Sequence, residues 1–244
     1  MMDNKMAIVT GGSRGIGRAI AEELASIGYD LVLLSKNKAK LEETSKEIAS
    51  RYGRKVTPFP CDLSDMKAID KFEKFCATNK VIPDVLVNNV GIWAPASTGE
   101  SSTERYDEIM TTNAKGVFYL TQRLLPVLKK GRAKRIIIIS STWAQDFSLA
   151  GGKSESTVYA MSKWALRGWG RMLREEVRGD GISVTIVYPG AVFTDEWEGT
   201  KTPKEKFIKP EDIGKVVRAA VEISPGSCID EVIVNTKVGS LSYD

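Results

Sequence analysis

The sequence predicts an α/β fold: a doubly wound parallel sheet of seven strands with helices on both faces, formed as a single domain over residues 1–244. Three observations predict it. Short runs rich in β-branched residues alternate with longer helical patterns along the chain. Most of the short runs are continuously apolar rather than alternating, as strands covered on both faces are. No repeat, low-complexity tract or linker interrupts the series, and 244 residues can bury a sizeable core.

The elements follow in order. Met6–Thr10 is the first strand, and a helical pattern covers 15–28. Leu31–Leu34 is the second strand, followed by a helix over 38–52. Val56–Phe59 is a weaker third strand, and a helix over 65–79 comes after it. Asp84–Asn88 precedes a long helix over 103–129. Ile136–Ser140 precedes a helix over 158–178, and Ser183–Val187 one over 210–223. Val232–Val234 is the last strand. Strand, helix, strand repeated this way implies right-handed crossovers.

Composition narrows the chemistry. The chain has no histidine, which excludes a Ser-His-Asp triad, a histidine-bound metal and a histidine base. Cys61, Cys76 and Cys228 are odd in number and widely spaced, and give neither a disulfide framework nor a zinc pattern. They read as small buried hydrophobes in a reducing compartment. The net charge of +4 is mild, and the basic cluster from Lys129 to Arg135 flanks a predicted helix end, where solvated cations are common. Nucleic acid is therefore not expected as a partner. No apolar run approaches the roughly 20 residues of a membrane span. The N-terminus passes straight into a strand with no room for a signal peptide, so a cytoplasmic location is expected.

Thr10-Gly11-Gly12-Ser13-Arg14-Gly15-Ile16-Gly17 lies between the first strand and the first helix. Glycines let backbone approach a pyrophosphate, and the helix N-terminus offers free N–H groups and a positive dipole end. Dinucleotide binding is expected there. At the end of the second strand an NAD enzyme offers a carboxylate to the ribose. Here the chain reads Ser35-Lys36-Asn37. Lys36, with Arg14 as a second cation, suits a 2′-phosphate, so NADP(H) is expected over NAD(H).

Tyr159 and Lys163 stand at i, i+4 on one face of a predicted helix. A tyrosine pKa near 10 is too high for work at neutrality, and a nearby cation lowers it. A Tyr-x-x-x-Lys spacing also arises by chance. In the company of the glycine turn, it makes the sequence resemble the short-chain dehydrogenase/reductase family over nearly its whole length.

The resemblance implies a Rossmann-like, NAD(P)-binding domain and further site residues. Gly11, Ser13, Arg14, Gly15, Ile16 and Gly17 resemble the family's cofactor turn. Asp62 and Leu63 resemble its adenine-side segment, and Asn89, Val90 and Gly91 its stretch after the fourth strand. Pro189, Gly190, Val192 and Thr194 resemble its loop beside the nicotinamide. Together with Ser35, Lys36, Asn37, Tyr159 and Lys163 these are the expected cofactor contacts. Asn113, Ser141, Tyr159 and Lys163 resemble the catalytic set. The implied roles are proton exchange with the substrate oxygen for Tyr159, and activation of Tyr159 plus a hold on the nicotinamide ribose for Lys163. Ser141 would polarise the substrate oxygen, and Asn113 would hold a relay water.

Two departures from the pattern stand out. The gap of 17 residues between Ser141 and Tyr159 is longer than the family's, which leaves Ser140 and Ser154 as rivals to Ser141. The usual glycine-rich segment after the last strand is replaced by a tail running from Asn235 to Asp244.

By position, Trp93, Trp143, Phe147, Phe193 and Trp197 are expected to wall a small-molecule carbonyl or alcohol pocket, with a short polar lid over 195–209. Gly168 and Gly170 interrupt the Tyr159 helix. Close contact with another subunit would account for them, so a dimer or tetramer is expected. The activity implied is NADPH-dependent interconversion of a ketone or aldehyde and an alcohol, with a 3-oxoacyl thioester as one version. The competing reading is a dinucleotide-sensing protein on the same fold that does no chemistry.

Overall fold

The computed structural model describes residues 5–145 and 156–239. Seven parallel strands form one sheet: β1 (Met6–Thr10), β2 (Asp30–Ser35), β3 (Val56–Pro60), β4 (Val85–Asn88), β5 (Arg135–Ile139), β6 (Ser183–Pro189) and β7 (Glu231–Val234). Their order is β3-β2-β1-β4-β5-β6-β7. The chain winds outwards from β1 to β3, then returns to place β4 on the other side of β1. That reversal between β1 and β4 opens a crevice at the strands' C-terminal ends.

Helices α1 (Gly15–Ser26), α2 (Lys38–Tyr52) and α7 (Pro210–Glu222) cover one face. The other carries α3 (Met66–Thr78), α5 (Gly116–Leu128) and α6 (Thr157–Val177). The strands' continuous apolarity follows from these two layers. Ala7 and Val9 face the α1/α7 side, whereas Ile8 between them faces the α5/α6 side. β3, read as the weak strand, is an edge, where Pro58 and Pro60 are tolerated.

The helix expected over 103–129 is interrupted. It runs as α4 (Thr103–Met110), a π turn over Thr111–Lys115, and α5. Gly170 serves a purpose other than the one expected of it. A Cβ there would come within 2.8 Å of Ile186 and 3.0 Å of Ile138, so this glycine seats α6 on its own sheet. A Cβ on Gly168 would meet nothing within 4 Å. Among the described residues no helix is long and apolar enough to cross a membrane.

Candidate active site

A cavity of about 850 Å³ lies over the C-terminal ends of β1, β4 and β5. The glycine turn and the ends of β2 and β3 form one end of it. The start of α6 and the 189–197 segment form the other.

At the glycine-turn end, backbone shape dominates. Gly11 and Gly15 adopt φ of +67° and +52°, values that L side chains rarely take. A Cβ on Gly17 would overlap the Gly11 carbonyl and sit 2.6 Å from Asn89 Nδ2. Buried hydroxyls hold the turn in place. Thr10 Oγ1 donates to the Val87 carbonyl at 3.2 Å and accepts from the backbone N–H groups of Asn89 and Val90. Ser13 and Ser35 share a hydrogen bond of 2.9 Å, and Thr44 Oγ1 donates to the Ser13 carbonyl. Helix α1 begins with no side-chain cap and no acidic residue in its first turn, which leaves N–H groups facing the cavity.

Three cations line this end: Arg14, Lys36 and Lys40. Lys40 pairs with Glu43 at 3.0 Å, while Lys36 is exposed and has no ion-pair partner among the described residues. Arg14 reaches across the cavity mouth to Asp195, 3.0 Å away. Lys40, part of the basic cluster with Lys36 but not among the expected cofactor contacts, lies one helical turn beyond Lys36, where the Asn37 side chain caps its N–H. Ser64 also lines the cavity, and its N–H and hydroxyl both donate to Asp62.

At the tyrosine end the catalytic candidates Ser141, Lys163 and Asn113 are buried. Lys163 is 3 % exposed, donates to the Ile139 carbonyl at 3.1 Å, and sits 5.4 Å from the centre of the Tyr159 ring. Ser141 shares a hydrogen bond with Tyr159. Ser140 instead donates to the Lys163 carbonyl at 3.0 Å, which separates the two neighbouring serines. Ser154, the third rival, lies outside the described residues, as does Phe147. Burial depresses the Lys163 ammonium to about 8. The Tyr159 phenol is pushed up by burial, against the expected direction; the Ser141 hydrogen bond opposes this and the charge of Glu196 adds to it.

Asn113 is wholly buried and does not reach the cavity. Its Oδ1 accepts from the Ile92 N–H at 2.8 Å, and its Nδ2 donates to the Ile92 carbonyl and to Ser162 Oγ. The π turn carries this amide to the strand-following loop. Gly91 lies between Asn113 and Lys163: a Cβ there would come 3.1 Å from Lys163 Nζ and 3.7 Å from Asn113 Oδ1.

The other expected cofactor contacts, from Gly11 to Thr194, all line the cavity. Of the expected pocket aromatics, Trp93, Trp143 and Trp197 do so as well. Phe193 does not. It packs edge-on against Phe207 at 5.5 Å, beneath Lys204, because Val192 beside it turns into the core. The expected lid is a folded loop. The Phe193 N–H donates to the Ile208 carbonyl and the Ile208 N–H to the Ala191 carbonyl, which closes it, and Trp197 packs edge-on against Phe207 at 4.7 Å. Glu196 and Asn235 also line the cavity, and neither was expected. Asn235 shows that the unusual tail supplies wall.

Residues 5–205 match the family model described as short chain dehydrogenase. A sepiapterin reductase of Chlorobaculum tepidum is 30% identical over 245 residues, spanning 97% of this chain and 98% of that protein. The 3-oxoacyl-acyl-carrier-protein reductase of Haemophilus influenzae is 33% identical over 197 residues, 81% of this chain and 78% of that one. An alcohol dehydrogenase of the archaeon Thermococcus sibiricus, complexed with 5-hydroxy-NADP, superposes with a TM-score of 0.86 at 28% identity, covering 98% of this chain and 99% of its own. A metagenomic short-chain oxidoreductase in complex with NADP gives a TM-score of 0.81 at 30% identity, covering 96% and 97%. The chain belongs to the short chain dehydrogenase family and is an oxidoreductase of that family.

Proposed function

We propose that this short chain dehydrogenase interconverts a carbonyl compound and an alcohol with NADP(H) as its dinucleotide. One observation carries the reading: a single cavity joins solvated cations at a glycine turn to a buried Tyr159–Lys163–Ser141 cluster. The residues fit a dinucleotide. The glycine turn is a cradle that side chains would fill, and the uncapped N-terminus of α1 suits a pyrophosphate. Lys36, with Lys40 and Arg14 near it, suits a 2′-phosphate. The two structural relatives described above hold NADP or a derivative of it.

When bound, the dinucleotide supplies or accepts a hydride. The chain's own residues do the rest. In reduction Ser141 donates a hydrogen bond to the substrate oxygen, and Tyr159 gives that oxygen its proton as charge develops there. Lys163, beside the phenol ring, stabilises the phenolate left behind and binds the nicotinamide ribose. Asn113 braces the wall behind Lys163 through its bonds to Ile92 and Ser162, a positioning role in place of the relay water expected of it. Trp93, Trp143 and Trp197 favour a flat or apolar carbonyl substrate. Sepiapterin and 3-oxoacyl thioesters, for which two relatives are named, are the compounds to assay first.

The full chain is proposed to act as one domain, in a homo-oligomer. Phe118, Met161, Trp164 and Met172 are large apolar side chains left exposed on α5 and α6, a surface suited to a second subunit. Tyr159→Phe tests the chemistry. Turnover should fall at least about 100-fold with NADPH binding kept; undiminished turnover would contradict the assignment.

A further inference from the structure

Ser156 breaks the usual rule for a serine at the head of a helix. It is the N-cap of α6, where a hydroxyl ordinarily accepts from an N–H two or three residues on. Its backbone, at φ −153° and ψ 60°, leaves the side chain out of the cap. The residue is 1% exposed, yet its Oγ has no hydrogen-bond partner among the described residues. A buried hydroxyl without a partner destabilises the fold that holds it, so stability does not account for it. Backbone contacts fix where it stands. Ser156 bridges to Ala96, and the Thr157 N–H donates to the Ala96 carbonyl at 3.2 Å, which ties the head of α6 to the loop carrying Trp93. The Ala160 N–H donates to the Ser156 carbonyl at 2.9 Å, so Ser156 closes the first turn and stands one turn from Tyr159. Both line the cavity, and helical side chains such as Tyr159 lean towards the preceding turn. The π turn, joined to α6 by the Asn113–Ser162 bond of 3.0 Å, places Thr112 on the cavity wall as well. Thr112 is 7% exposed, and its hydroxyl too has no hydrogen-bond partner among the described residues.

We propose that Ser156 and Thr112 form a second oxygen-recognition point, which makes the substrate a carbonyl compound with another oxygen acceptor on the next carbon or the one after it. This rests on the carbonyl-reduction reading above. The head of α6 has no acidic residue in its first turn, so the positive end of the helix dipole is uncompensated there. Glu108, one turn before Thr112 on the cavity wall, is paired with Arg105. Two hydroxyl donors at a positive helix end suit an acceptor oxygen and not a methylene. A serine hydroxyl turns about a single bond between staggered positions, so a residue on the wall can offer it to the cavity. The reacting carbonyl goes to Tyr159 and Ser141, and the second oxygen to Ser156 one turn away. A substrate lacking that oxygen leaves the hydroxyls unpaired behind it, which is how a polar site rejects a close analogue.

The test is NADPH-dependent reduction of diacetyl and of butanone, which share a carbon skeleton and differ by one oxygen, by wild type, Ser156→Ala, Ser156→Thr and Thr112→Val. Intrinsic reactivity differs between the ketones but is common to every protein, so the ratio of their kcat/KM values reads the second contact. The ratio of diacetyl to butanone should fall roughly tenfold in Ser156→Ala and roughly threefold in Thr112→Val, the loss of one hydrogen bond in each. Ser156→Thr, which keeps the hydroxyl, should hold it near wild type. Without substrate, Ser156→Ala should melt no lower than wild type, because it removes an unpaired buried hydroxyl. An unchanged ratio in Ser156→Ala, or both ketones slowed equally with a lower Tm, would overturn the proposal and leave the carbonyl reading intact. Wild type that reduces neither ketone would defeat both.

Discussion

The two ends of the cavity handle charge in opposite ways. At the glycine-turn end the cations stand in water: the Arg14 side chain is 62% exposed and that of Lys40 is 43% exposed. At the tyrosine end Lys163 is 3% exposed and Asn113 is sealed off. Solvated cations cost little to maintain and discriminate by net attraction, so changing one alters affinity and little else. Buried polar groups must each find a partner, which Lys163, Ser140 and Asn113 do through backbone carbonyls and N–H groups. The chemistry end is thus rigid by necessity and the recognition end adjustable.

Glycine substitutions probe this contrast most forcefully. Gly17→Ala places a methyl against the Gly11 carbonyl, which is fixed backbone, and should destabilise the fold by about 3 kcal/mol or more and abolish dinucleotide binding. Gly91→Ala at the other end meets the tip of Lys163, a side chain that can give way. It should keep the fold and lower turnover by displacing the ammonium. Urea denaturation of the two variants checks the pair; equal destabilisation would break the comparison.

A smaller effect comes from pH. Lys163 is held near 8, below the 10.5 of a free side chain, because burial penalises its charge. Between these values the folded protein binds fewer protons than the unfolded chain, so the Lys163 contribution to stability rises with pH across that window. Wild type should gain roughly 2 kcal/mol relative to Lys163→Met as pH rises from about 8 to about 10. Burial raises the pKa of Cys61 and Cys76, whose contributions fall with rising pH, but both are present in either protein. Parallel pH dependences for wild type and variant would contradict a buried Lys163.

The smallest effect belongs to the strap across the mouth. Asp195→Asn removes an exposed ion pair and should cost no more than about 1 kcal/mol of stability. NADPH affinity should not fall, since Arg14 is released towards a phosphate. A large loss of either would show that the strap holds the site together.

The sheet and its helices were legible because strands buried on both faces leave short continuous apolar runs, whereas amphipathic helices leave an apolar stripe with a period near 3.6. The glycine turn and the Tyr159–Lys163 pair were legible because each is local in sequence. What escaped depended on contacts between distant segments. The π turn at Asn113 exists to reach Ile92, and helical periodicity does not register one extra residue in a turn. Phe193 looked like pocket wall, but alternation along an extended segment sends Val192 inward and Phe193 to the outer loop. Gly170 offered the same sequence signal whether it met a second subunit or its own sheet; Ile138 and Ile186 decide for the sheet. Glu196 read as part of a polar lid, because its place on the cavity wall depends on contacts between distant segments, the Arg14–Asp195 bridge among them.

The most direct test of the account is fluorescence titration of wild type and Lys36→Ala with NADPH and with NADH. The account predicts that wild type prefers NADPH, and that Lys36→Ala weakens NADPH binding about tenfold while leaving NADH unchanged, the loss of one charge-assisted contact. Equal or NADH-favoured binding by wild type, or a variant that loses both dinucleotides alike, would contradict it.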